Sequence, residues 1–305
     1  MSFRAGLLAA ESVEETRQSA KRSLFLHGLA RIARCILLTL LGVVLVGMFL
    51  ESWLVYPRPP LERSDWSPKG IAFEDVVFDS EDGTRVHGWF FDRPGARRAL
   101  LYCHGNGEQV ADNGELMQHL SQRLDAAVLI FDYRGYGKSE GSPYEKGVIA
   151  DGRSAQRWLA ERTGRQPHEV VLVGRSIGGG VAVACAAELG AQGLVLQSTF
   201  TRLTDTAATH FAWLPVRWVM RNRYDSVKRL ADYHGPIFSS HGTADRVVPF
   251  EQGRLLFESA TGAPKEFFTI KGGGHNDPQP REYYRELAAF LDRLPSPAAP
   301  QEATP

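Results

Sequence analysis

Two shortages frame this sequence. Its 305 residues hold only three cysteines, Cys35, Cys103 and Cys185. So few, so scattered, they supply neither a disulfide framework nor a thiolate metal site, and they leave the redox compartment open. A surplus of charge is missing as well, since 35 Lys and Arg meet 35 Asp and Glu. Polyanion binding draws on released counterions and needs a basic excess, so nucleic acid is excluded as a partner. Internal repeats are absent, which removes solenoid architectures. What remains is the balance of a globular protein, 43% hydrophobic and 23% charged, long enough for one large domain or two small ones.

The first 60 residues depart from that balance. ILLTLLGVVLVGMFL, from Ile36 to Leu50, carries no charge, and apolar character resumes after Glu51 and Ser52 up to Tyr56. Residues 36–56 are therefore about as long as a bilayer crossing demands. Trp53 and Tyr56 suit an interfacial depth, and Arg17, Lys21, Arg22, Arg31 and Arg34 outnumber the cations just downstream. The expectation is a basic cytoplasmic leader over 1–35, a single-pass anchor over 36–56, a linker over 57–70 and a domain on the non-cytoplasmic side. A cleaved signal peptide is the rival, disfavoured by the long leader and the lack of a small-residue cleavage pattern.

From residue 71 to 294 short apolar runs alternate with segments of helical length. Residues 73–78 and 85–91, joined through Asp82-Gly83, read as an edge hairpin. Runs at 99–103, 127–131, 170–173, 193–196, 236–239 and 266–270 read as strands buried on both faces, with helices expected over 110–124, 145–162, 177–189, 250–259 and 281–294. The fold class is α/β: a mostly parallel sheet with an antiparallel edge hairpin and helices on both faces. Residues 295–305, with four prolines and no periodicity, read as a disordered tail.

VVLVGRSIGGGVAVACAAELG, residues 170–190, admits two chemistries. Gly174, Gly178 and Gly180 could let a dinucleotide phosphate approach a helix, but that fingerprint opens its unit at a first strand, and here it follows the fifth. A phosphate loop ending in Gly137-Lys138-Ser139 fails because its first glycine would fall at Asp132. Gly174, Ser176 and Gly178 instead form G-x-S-x-G between strand and helix, the turn that lifts a serine oxygen above a sheet edge. Ser176 is the expected nucleophile. It needs a base and an orienting acid, which in such folds follow in the order Ser, acid, His after later strands. HGTADRVVP places Asp245 and KGGGHNDP places His275 on two such exits, while Asp205, Asp225 and Asp232 lack a strong preceding strand. The oxyanion hole is assigned to the backbone N–H groups of Ile177 and of Asn106, the latter in the glycine-rich LLYCHGNGEQV.

CHGNGEQV, FDYRGYGKSEG, GRSIGGGVAV, QSTF, HGTADRVVP and GGHND resemble the blocks of an α/β-hydrolase-domain family of membrane-anchored or peripheral serine hydrolases, near the prolyl-oligopeptidase-like hydrolases. The resemblance covers essentially residues 71–294 in the family's order and implies the same Ser176, Asp245, His275 triad. It gives Asp132 and Arg134 a loop-holding role, and it departs at Gln197–Phe200, where relatives often carry an acidic residue and Asn. A short lid over 200–228 carries Phe200, Phe211, Trp213 and Trp218, read as an acyl-binding wall, a membrane-facing patch or packing on the sheet. Relatives in the resembling family include depalmitoylases, so the expected substrates are acyl esters or thioesters, lipid-like or protein-borne, with no metal or organic cofactor. Peptidase activity and an inactive anchored scaffold are the alternatives.

Overall fold

The computed structural model describes residues 2–294; the tail expected to be disordered lies outside them. The chain forms two units, Met1–Glu51 and a second beginning at Ser52. Helix α1 (Ser2–Val55) accounts for the first. Within it, the 35 residues Lys21–Val55 meet the length and composition of a membrane span, a standard that an N-terminal signal sequence meets equally.

The second unit is built on eight strands: β1 (Glu74–Asp79), β2 (Arg85–Phe91), β3 (Arg98–Cys103), β4 (Ala126–Phe131), β5 (Val170–Arg175), β6 (Gly193–Gln197), β7 (Ile237–Gly242) and β8 (Lys265–Ile270). They lie in the order β1-β2-β4-β3-β5-β6-β7-β8. β1 pairs antiparallel with β2 and β2 with β4; every other pairing is parallel. The mixed sheet with its edge hairpin is thus present. Gly83, at φ +80°, makes the tight turn of that hairpin in a region that costs other residues strain.

Two-residue alternation splits the core. In β3, Ala99, Leu101 and Cys103 face one layer while Leu100 and Tyr102 face the other. The first layer receives α3 (Glu145–Arg162) and α4 (Ile177–Leu189). The second receives α2 (Gly114–Leu124) and, through Tyr283, Leu287 and Phe290, the carboxyl-terminal helix (Arg281–Asp292). Helix α2 starts later than the apolar run suggests. Asp112 folds back to accept the Gln109 N–H at 3.1 Å, closing a separate 3-10 turn at Val110–Asp112 before α2 begins. The lid contains α5 (Leu203–His210), α6 (Val216–Val219) and α7 (Ser226–Leu230); α8 (Phe250–Ser259) follows β7, and the carboxyl-terminal helix is α9. Residues 57–70 are not bare chain: Gln109 donates to Ser64 at 2.7 Å, and Trp66 meets Trp89 edge to face.

Candidate active site

Register brings the functional loops together. Cys103 at the end of β3 lies beside Gly174 of β5, so the loop carrying Asn106 leaves the sheet next to the turn carrying Ser176. At the other side Gly242 pairs with Ile270, so the loops carrying Asp245 and His275 leave side by side. β4 and β5 are added on opposite sides of β3, and this switch in strand order opens the crevice at these carboxyl ends.

Ser176 sits at φ +54°, ψ −119°, a conformation that costs a non-glycine residue about 1–3 kcal/mol. Three hydrogen bonds hold it there. Its N–H donates to the Gln197 carbonyl at 2.9 Å, and its carbonyl accepts from the Thr199 hydroxyl at 2.8 Å and from Gly179 N–H at 2.9 Å. The turn also demands bare backbone, since a Cβ on Gly178 would lie 2.1 Å from the Cys103 carbonyl oxygen. Gly180 serves packing, its absent Cβ leaving room for the Tyr224 ring.

Ser176 Oγ lies 3.1 Å from His275 Nε2, and His275 Nδ1 lies 2.7 Å from Asp245 Oδ2. An ionised carboxylate only accepts, so Nδ1–H donates to it and Nε2 presents its lone pair to the serine hydroxyl. Asp245 also accepts the N–H groups of Val247 and Val248 at 2.9 and 2.8 Å. Burial penalises its charge, but hydrogen bonds from His241 and His275 outweigh that and hold its pKa well below the usual carboxylate range. His241 Nε2 lies 3.3 Å from Asp245 Oδ2 and 2.9 Å from the Val248 carbonyl, so it too carries its hydrogen toward the acid.

A cleft of about 240 Å³ opens over Ser176. Asn106, Ile177, Thr206 and His275 border it, and Phe200, Leu203, Val247 and Val248 give it an apolar wall. Phe200 therefore stands at the cleft, buried in the wall. Phe211, Trp213 and Trp218 are not among its bordering residues. The lid turns outward after α5, leaving Trp213 67% and Trp218 86% exposed, with Trp218 beside a separate groove. Two of the rival acids have other partners: Asp205 binds Arg217, and Asp225 caps α7 through Lys228 N–H. Asp132 accepts from Val110 N–H, and Arg134 joins Asp82 to Asp151, so both tie loops together as the resemblance implies.

Sequence reasoning passed over Thr199, His241, Arg175 and Glu108. Thr199 belongs to the very QSTF segment that departs from the resembling pattern, and its hydroxyl braces the Ser176 turn. Among the described residues no group of three His, Cys, Asp or Glu side chains is arranged to hold a metal ion. Burial pushes the Cys185 thiol up to about 12, which silences it as a nucleophile.

A family model described as serine aminopeptidase S33 matches residues 94–226. An uncharacterized protein of Mycobacterium tuberculosis is 35% identical over 261 residues, covering 81% of this chain and 91% of that one. The human alpha/beta hydrolase domain-containing protein 17B is 31% identical over 244 residues, covering 76% and 81% respectively. Among solved structures, the Pyrococcus furiosus esterase Pf2001 superposes with a TM-score of 0.65 at 22% identity, covering 78% of this chain and 98% of that one.

Proposed function

The chain belongs to the α/β-hydrolase family, and from that premise we propose that it is a serine hydrolase cleaving acyl esters or thioesters through Ser176, His275 and Asp245. The observation that carries the proposal is the continuous relay from Ser176 Oγ through both ring nitrogens of His275 to Asp245, set over a cleft with an apolar wall. His275 Nε2 takes the Ser176 proton as Oγ attacks the acyl carbonyl. Negative charge then develops on the carbonyl oxygen, where the N–H groups of Ile177 and Asn106 receive it. His275 returns the proton to the leaving group, and the same ring next takes a proton from the water that attacks the acyl-enzyme, handing it to Ser176 Oγ as that bond to the acyl group breaks and the acid departs. Asp245 holds the tautomer throughout.

An aminopeptidase needs a carboxylate at the cleft to meet the substrate ammonium. Glu108 borders the cleft but is engaged by Arg175, which favours an uncharged acyl substrate. A fluorophosphonate probe is expected to add to Ser176 of the full-length protein, located by peptide mass mapping; no adduct, or an adduct elsewhere, would refute the assignment. That same result separates an enzyme from an inactive scaffold.

The proposed setting is a membrane, with α1 spanning it, the N-terminus cytoplasmic and the catalytic domain on the far side. The cation density ahead of the apolar run supports this orientation. Protease added outside sealed cells with a permeabilised outer layer should digest the domain, while protease confined to the cytoplasmic face should not; the reverse pattern inverts the topology.

A further inference from the structure

We propose that Arg175 and Glu108 are a positioning pair that holds the oxyanion loop and the histidine loop in register with Ser176; this rests on the hydrolase reading above. Arg175 is the last residue of β5, immediately before the nucleophile. Its guanidinium reaches both ways. Nη1 pairs with Glu108, while Nη2 donates to the His275 carbonyl at 3.1 Å and to Asn276 Oδ1 at 3.0 Å. Glu108 in turn accepts the Gly105 N–H at 3.2 Å, the amide just before Asn106, and is approached by Asn113 Nδ2 at 3.4 Å.

One cation thus ties the backbone of the base to the loop assigned an oxyanion donor. Both side chains are only 18% exposed, so salt and water screen the pair weakly. The planar fork matters, because two N–H groups must point at two loops at once, which a single ammonium cannot reproduce. The polar contacts of the pair go to the loops that leave β3 and β8, while Arg175 also borders a groove with Tyr102 and Leu116. The consequence of the pair is therefore expected in the alignment of reacting groups. A displacement of about 1 Å in such a site costs on the order of 100-fold in rate.

The test measures kcat and KM for a p-nitrophenyl ester with full-length wild type, Arg175→Gln, Arg175→Lys, Glu108→Gln and the Arg175→Gln/Glu108→Gln double variant in detergent, with circular dichroism to verify folding. Arg175→Gln and Glu108→Gln should each lower kcat about 10- to 100-fold and leave KM within about twofold. Arg175→Lys should regain only a minor part of the loss. The double variant should be no worse than Arg175→Gln alone, because the two residues act as one unit. If Arg175→Gln does not fold, Glu108→Gln, which preserves side-chain size, carries the decision. A folded single variant with kcat within twofold of wild type, or losses that multiply in the double variant, would overturn the pair. Wild type that neither turns over ester nor takes up fluorophosphonate would instead overturn the hydrolase reading and the pair with it.

Discussion

Ser176→Ala is expected to lower ester turnover by about 10⁶-fold and to eliminate fluorophosphonate labelling, with the melting temperature within a few degrees of wild type. The magnitude follows from the unit the three side chains form. Without Oγ there is no covalent intermediate, His275 has no proton to move, and only the oxyanion donors and the cleft remain to act on water. Stability should hold because the Ser176 turn is fastened through its backbone. Gln197, Thr199 and Gly179 all bind main-chain atoms of Ser176, and none of those bonds involves the hydroxyl. Ser176→Gly gives the control, being equally inactive and no less stable, since glycine adopts φ +54° without strain. Substantial turnover by either variant would move the nucleophile elsewhere; a large loss of melting temperature in Ser176→Ala would show that the hydroxyl carries structural weight.

The strand and helix alternation was readable because each run is short, apolar and bounded by turn residues, and parallel crossovers leave few topologies. The meeting of Ser176, Asp245 and His275 was readable for a related reason. All three sit on exits from the carboxyl ends of strands, so chain order alone places them at one edge. Arg175 and Glu108 carried no comparable signal, since their contact depends on β3 lying beside β5, a pairing that no local pattern announces. His241 likewise reads as one more strand residue until the Asp245 loop folds back over it. The acyl-wall reading of Trp213 and Trp218 shows the opposite case. Large apolar residues near a site suggest a pocket, yet Trp213 and Trp218 point outward while smaller Leu203, Val247 and Val248 line the cleft. Composition cannot tell the inner face of so short a segment from its outer one, because α6 spans only four residues.

Asp245→Asn is expected to lower kcat by about 10⁴-fold with KM little changed, a larger loss than its near-identical shape suggests. Two backbone donors, Val247 and Val248 N–H, fix the oxygen that Asn would retain. The amide nitrogen would then replace Oδ2, facing His275 Nδ1 and His241 Nε2. A donor there drives His275 to the tautomer with hydrogen on Nε2, which can no longer accept the Ser176 proton. His241 has no such escape. Its Nε2–H is also committed to the Val248 carbonyl, so two donors confront each other in a buried place at a cost of about 1–3 kcal/mol. The variant should therefore melt lower than wild type at neutral pH. The sign of the pH dependence follows from the depressed pKa of Asp245: its ionised form contributes stability fully above the unfolded-state value of 3.8, and that contribution is lost as pH falls below it toward the folded value. Asn has no such contribution to lose, so the gap in melting temperature should narrow as pH is lowered from 7 to 3. A gap that widens on acidification would mean Asp245 is not the stabilised carboxylate described, and kcat within tenfold of wild type would remove it from the relay.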